Sequence, residues 1–253
     1  MENKPKNYLN DEHLSIGTRE YLRVLNAGGR PVESLPVAEA RKVLADVQAA
    51  VEVDLSGIDE REREIVADGH ALTLHLVRPH GSRGRLPYFV FIHGGGWVLG
   101  DYSTHRRLVR DLVVESEVAA VFVDYTPSPE AKYPQAVDEI YAAVKWVAEN
   151  DAELDLDRRR MALVGNSAGG NMALAAALLA KKRHAPAVRA LVLLWPVTSA
   201  SSDWKSYALY GGERFLTAPL MKWMFDRYTT DARAREEILL SPVNASREEL
   251  FGL

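Results

Sequence analysis

Two short stretches of this sequence hold the residue types that acyl chemistry needs. The first is VGNSAGGNM, residues 164–172, where Ser167 stands in a G-x-S-x-G pentapeptide between Gly165 and Gly169. A serine hydroxyl is a weak nucleophile until the fold exposes it beside a proton acceptor and an anion-stabilising site. The pentapeptide suits a sharp strand-to-helix turn, in which the serine adopts a strained backbone and its glycine neighbours leave room. The second stretch is HGGGW, residues 93–97. Its consecutive glycines, Gly94, Gly95 and Gly96, allow main-chain N–H groups to face a neighbouring site. With the N–H of Ala168 at the start of the next helix, they form a candidate hole for a tetrahedral oxyanion. HGGGW lacks both the lysine of a phosphate-binding loop and the spacing of a dinucleotide fingerprint.

The elements around these stretches must put them side by side. Four apolar runs, PYFVFI, VAAVFVDY, RMALVGN and RALVLLWP, alternate with segments of helical periodicity. Such runs suit strands covered on both faces, and the helical segments are long enough for parallel crossovers. Upstream, REIVADG and HALTLHLVRP alternate around Asp68-Gly69, a hairpin signal. The predicted architecture is an open, mostly parallel α/β sheet with an antiparallel edge formed by its first strands. Residues 1–60 are read as helices, with TREYLRVLNAGG stopping at Gly28-Gly29.

Bulk properties narrow the chemistry. The 253 residues carry a net charge of −4, with 31 basic and 35 acidic residues well mixed, which gives no basic stripe for nucleic acid. With no cysteine, thiol catalysis, disulfides and Cys-based zinc sites are excluded. MENKPKNYLN has no apolar signal-peptide core, and the longest apolar run, MALAAALLA, is too short to span a bilayer. The expectation is a soluble, cytoplasmic protein without a membrane anchor.

HGGGW, VDYTPSPEAKYPQAVDEIYAAVKW and GNSAGGNMA resemble the hormone-sensitive-lipase-like family of bacterial carboxylesterases, within the α/β-hydrolase superfamily. The resemblance implies an α/β-hydrolase core over 61–253. It also implies a helical cap from residues 1–60 and a second cap segment at about 200–235. It implies cofactor-free and metal-free hydrolysis of small to medium acyl esters, with Ser167 as nucleophile and Gly94–Gly96 with Ala168 as oxyanion donors. Among the loop donors Gly95 and Gly96 are favoured. Trp97, Tyr125 and Asn166 would line the substrate pocket, with core packing as the alternative for Tyr125. The cap aromatics Trp204, Tyr207, Tyr210, Phe215, Trp223 and Phe225 suit an apolar acyl or alcohol group, or simply pack the cap onto the sheet. Homodimerisation through a strand edge is a further implication. One departure is Asn166, where the family carries aspartate.

The proton acceptor is the larger departure. In this fold the acid and histidine follow the serine. Of seven histidines only His184 does so, and a helix of that length places it about 25 Å from Ser167. His93 is expected to hold the glycine loop, and Asp203, Asp226 and Asp231 have no histidine to orient. SPVNASREELFGL resembles the approach to the family's seventh strand, so the base and acid are expected beyond residue 253. The alternatives are a non-catalytic small-molecule binder resembling the gibberellin receptors, and a deacetylase or amidase of the same family.

Overall fold

The computed structural model describes residues 7–253, so the first six residues of the expected N-terminal cap lie outside the described residues. Six strands form one sheet in the order β1-β2-β4-β3-β5-β6. They are β1 (Ile58–Ala67), β2 (His70–Pro79), β3 (Leu86–Ile92), β4 (Ala119–Asp124), β5 (Leu156–Asn166) and β6 (Ala190–Leu194). β1 pairs antiparallel with β2, and β2 antiparallel with β4; β4, β3, β5 and β6 run parallel. This is the expected mostly parallel sheet with an antiparallel edge.

The central strands are apolar on both faces because both are covered. Tyr88, Val90 and Ile92 of β3 meet Ile140 and Val144 of α4 (Gln135–Glu149) and Met172 and Ala176 of α5 (Ala168–Arg183) in one core. Phe89 and Phe91 point the other way, into a second core with Val109 and Val113 of α3 (Tyr102–Ser116). α5 is buried almost all round, and its alanines let it lie close to the sheet.

Two strands are longer than the apolar patterns predict. β1 begins at Ile58, because Asp59 and Glu60 tolerate an edge position opposite Arg78 and Val77. β5 begins at Leu156, and its outer end carries exposed Arg158, Arg159 and Arg160 while Asp157 pairs with the last two. At the far edge β6 is only half covered, with Val192 42% and the following Trp195 69% exposed.

The N-terminal segment contributes α1 (Ile16–Leu25) and α2 (Val37–Ala49). The segment after β6 contributes α6 (Lys205–Tyr210) and α7 (Ala218–Tyr228). The two segments touch. Arg214 pairs with Asp11 at 2.9 Å, Asn26 Nδ2 donates to the Glu213 carbonyl at 3.1 Å, and Tyr21 meets Phe215 at 6.5 Å between ring centres.

Candidate active site

β3 and β5 are parallel neighbours in register, Phe91 beside Val164 and Ile92 beside Gly165. Whatever follows β3 therefore lies next to whatever follows β5. HGGGW follows the first and Ser167 the second.

Ser167 is the single residue between β5 and α5, with φ 54° and ψ −123°. That conformation costs a non-glycine residue about 1–3 kcal/mol and persists only where neighbours enforce it. Here they do so on both sides. The Ser167 N–H donates to the Leu194 carbonyl at 2.9 Å, and its own carbonyl accepts from Asn171 N at 3.0 Å and Val197 N at 3.2 Å. Asn171 is fully buried and its Nδ2 ties the carbonyls of Val197 and Leu240, both at 2.9 Å. The turn is tight enough that a Cβ on Gly165 would fall 2.4 Å from the Gly169 carbonyl oxygen, and one on Gly169 would fall 2.1 Å from that of Ile92. The glycines are there because backbone occupies the space of a side chain. Ser167 itself is half-buried, and its hydroxyl makes no hydrogen bond among the described residues.

The glycine loop lies against this turn: a Cβ on Gly94 would stand 3.0 Å from Ser167 Cβ. The Gly94 N–H donates to Asn166 Oδ1 at 3.0 Å, which commits it to the protein and removes it from the three expected loop donors. The N–H groups of Gly95, Gly96 and Ala168 have no acceptor among the described residues. Gly96 has φ +61° and lies under α7, where a Cβ would meet Met224 Sδ at 2.0 Å. Arg41 of α2 holds the far side of the loop. Its Nε donates to the Val98 carbonyl at 2.8 Å, its Nη2 to that of Ser128 at 2.9 Å, and its fork grips Glu130.

Trp97, expected at the substrate pocket, is instead core, and Tyr125 takes its alternative, core packing. Trp97 is fully buried, stacked on Tyr228 at 4.7 Å and packed against Phe225 at 4.9 Å. Its φ of 62° turns the side chain inward beneath α7. Tyr125 is 3% exposed; it stacks on His93 at 4.3 Å and donates its hydroxyl to the His93 carbonyl at 3.0 Å. Asn166 does stand beside the serine, but its amide oxygen is spent on Gly94. Of the aromatics in the second segment, Trp223 and Phe225 are buried, whereas Trp204 and Phe215 are exposed.

The histidines are where the chain order implies. His93 sits between Phe122 and Tyr125, and its Nδ1 donates to the Gly94 carbonyl at 2.8 Å; burial holds its pKa below the ordinary value. This is the loop-holding position expected of it. His105 Nε2 faces Asn166 Nδ2 at 3.3 Å. His184 caps the far end of α5. Asp226 is committed to Lys222 and Arg235. Among the described residues no three His, Cys, Asp or Glu side chains converge as a metal site requires, and no helix is long and apolar enough to cross a membrane.

Arg41, Asn171 and Glu139 escape sequence reasoning. Glu139 is 3% exposed and accepts the Thr126 N–H at 2.8 Å, pinning the segment after β4. A polar residue at the head of an Ala/Leu helix was a usable signal for Asn171, and nothing local marks Arg41.

A family model described as alpha/beta hydrolase fold matches residues 89–253, which includes both the glycine loop and the serine turn. The chain belongs to the hormone-sensitive-lipase-like family of α/β hydrolases. A solved relative of this chain, a thermostable esterase from Pseudomonas putida, superposes with a TM-score of 0.94 at 51% identity, covering 96% of this chain and 77% of the esterase. A hyperthermophilic esterase from Pyrobaculum calidifontis gives 0.85 at 32% identity, over 92% and 76%. An ethyl acetate hydrolase of Pseudomonas putida is 31% identical, over 89% of this chain and 74% of the relative. A protein of Acanthamoeba polyphaga mimivirus described as an alpha/beta hydrolase is 32% identical, over 86% and 62%. The chain thus spans less than two thirds of that last relative and about three quarters of the others.

Proposed function

We propose that this chain carries the nucleophile and the oxyanion site of a serine carboxylesterase acting on small to medium acyl esters. The observation that carries the reading is Ser167, held in a strained turn with an unbonded hydroxyl, next to a glycine loop with two unpaired amides. Ser167 Oγ attacks the ester carbonyl carbon while the N–H groups of Gly95, Gly96 and Ala168 stabilise the developing oxyanion. The tetrahedral intermediate expels the alcohol and leaves an acyl-enzyme, which water hydrolyses. The segments 1–60 and 200–235 serve as a cap, a role supported by the seat of Met224 against Gly96 and of Arg41 on the loop. The esterase relatives, one named for ethyl acetate, support a short acyl group.

His93 is locked in its stack, His105 faces an amide, and His184 is a helix away, so none of these three is free to take the serine proton. The reading therefore places the base and acid outside residues 7–253. The test is hydrolysis of a short-acyl nitrophenyl ester by the native protein, with its intact mass measured alongside. Turnover that falls by roughly 10³-fold or more in Ser167→Ala supports the proposal. A rate that survives this substitution refutes it. Ligand binding without turnover in a protein of full native mass favours a non-catalytic binder on the same scaffold.

A further inference from the structure

We propose that Asn166 and His105 form an uncharged bracket for the glycine loop, in which His105, a neutral imidazole protonated on Nδ1, positions the loop through Asn166. The consequence for catalysis rests on the esterase reading above; the bracket itself does not.

The argument is one of donors and acceptors. The Gly94 N–H can only donate, so the Asn166 atom 3.0 Å from it is the amide oxygen. The other end of the amide, 3.3 Å from His105 Nε2, is then the NH2 group, which also only donates. His105 Nε2 must accept, which leaves the ring proton on Nδ1. The opposite side of the ring agrees. Nδ1 faces Thr104 Oγ1 at 3.0 Å and the Asp101 carbonyl at 3.3 Å. The Thr104 hydroxyl already donates to that carbonyl at 2.9 Å, so it is an acceptor toward the ring. Every polar atom along the chain from the Asp101 carbonyl to the Gly94 N–H is matched in only one arrangement of protons, and none of these linked groups carries a charge.

The bracket matters because it decides which loop amides remain available. Asn166 occupies the Gly94 N–H, and the loop is left to present Gly95 and Gly96. The titratable groups facing the His105 ring are His93, 5.3 Å away between ring centres, and Asp101 at the start of its own helix. Phe91 covers it from β3 at 6.2 Å. Burial, with a smaller contribution from His93, lowers the pKa of His105 to about 4, in keeping with a ring that stays neutral. A carboxylate at position 166 would serve Gly94 equally well but would turn a lone pair toward Nε2. His105 would then have to carry a proton on Nε2, and the bracket would acquire a titration it now lacks.

The test is nitrogen NMR of the native protein with ¹⁵N-labelled histidine, the His105 signals being assigned by their loss in His105→Leu. The expected result is an Nδ1-protonated ring that does not titrate between about pH 5 and 8. In Asn166→Asp the same ring gains a proton on Nε2, and its pKa moves up. A wild-type ring protonated on Nε2, or titrating in that range, overturns the proposal, as does an unchanged ring in Asn166→Asp. Kinetics read the consequence: His105→Leu lowers kcat roughly three- to tenfold at constant KM, the scale of one hydrogen bond. Asn166→Asp adds a limb in which kcat falls as pH rises, and the double variant Asn166→Asp, His105→Leu loses that limb. Inactivity of the native protein on esters would remove the esterase reading and leave the ring signals to decide the bracket.

Discussion

Gly169→Ala tests most directly whether the serine turn and the glycine loop are one rigid construction. Alanine is ordinarily the better helix residue, so propensity alone predicts stabilisation at this first-turn position. The structure predicts the reverse. The new Cβ would lie 2.1 Å from the Ile92 carbonyl oxygen and 2.5 Å from the His93 carbonyl carbon, both main-chain atoms of the strand end that launches the loop. Carbon–oxygen contacts are ordinarily no closer than about 3.3 Å, so relief needs about 1 Å of separation between α5 and β3. Overpacking of this kind costs about 1–3 kcal/mol. For a domain of this size that corresponds to a Tm lower by about 2–12 °C. The same displacement draws Ser167 and Ala168 away from Gly95 and Gly96, and a misplacement of about 1 Å at a reacting centre costs about 10²-fold in rate. Thermal unfolding and ester kinetics on the same preparation separate the two effects. Gly212→Ala is the control: no atom lies within 4 Å of its Cβ position, and its Tm should stay within about 2 °C of wild type. A Gly169→Ala protein that melts like wild type and keeps kcat within twofold would refute the claim that backbone contact holds the turn against the loop.

Arg41→Ala leaves two carbonyls and Glu130 without their donor, at a cost of about 1–3 kcal/mol read as a lower denaturant midpoint. Because one of those carbonyls belongs to the glycine loop, kcat should fall with it, whereas Glu130→Gln, which spares both carbonyls, should change kcat far less. Stability should also decline in mild acid. His105 is neutral in the fold down to about pH 4 but takes a proton in the unfolded chain below about 6.5, so the unfolded state binds more protons across that window. Its contribution is complete above pH 6.5 and is lost as pH falls toward 4, by at most about 3 kcal/mol. Buried His93 acts in the same direction. Urea midpoints measured from pH 7 to 4 check this, and His105→Leu should flatten the slope.

What was legible in the sequence were features whose cause is local. Gly165 announces a turn because the backbone that excludes a side chain there, at Gly169 and Gly170, lies only four and five residues on, whereas the space at Gly169 is closed by Ile92 and His93 from another strand. The hairpin at Asp68-Gly69 is equally local, with φ of 48° and 87° at its two residues. The apolar runs mark strands because covering both faces leaves no polar position to interrupt them. What was not legible depends on partners distant in sequence. Arg41 reaches carbonyls 57 and 87 residues away, and Asn171 reaches one 69 residues away. For Trp97 the resemblance implies the pocket, and for Tyr125 it leaves pocket and core both open. Adjacency in a strand end or loop leaves open which side of the sheet a ring enters, and α7 and His93 decide that by stacking.

The strain at Ser167 and the unpaired state of the Gly95 and Gly96 amides are therefore properties of the assembled fold, and each has an identifiable restraint. The serine turn is held from the β6 side, by the Leu194 carbonyl and the Val197 N–H. The loop is held from three others: Asn166 at Gly94, Met224 over Gly96, and Arg41 at Val98. These restraints come from β5, from the segment after β6 and from the N-terminal helices, which share no contact in sequence. Unpaired amides are costly wherever water is excluded. A loop free to move would turn Gly95 and Gly96 toward any nearby carbonyl and satisfy them. Clamping it at three points forbids that relaxation, so the amides keep their capacity for the oxyanion that the proposed attack by Ser167 would create.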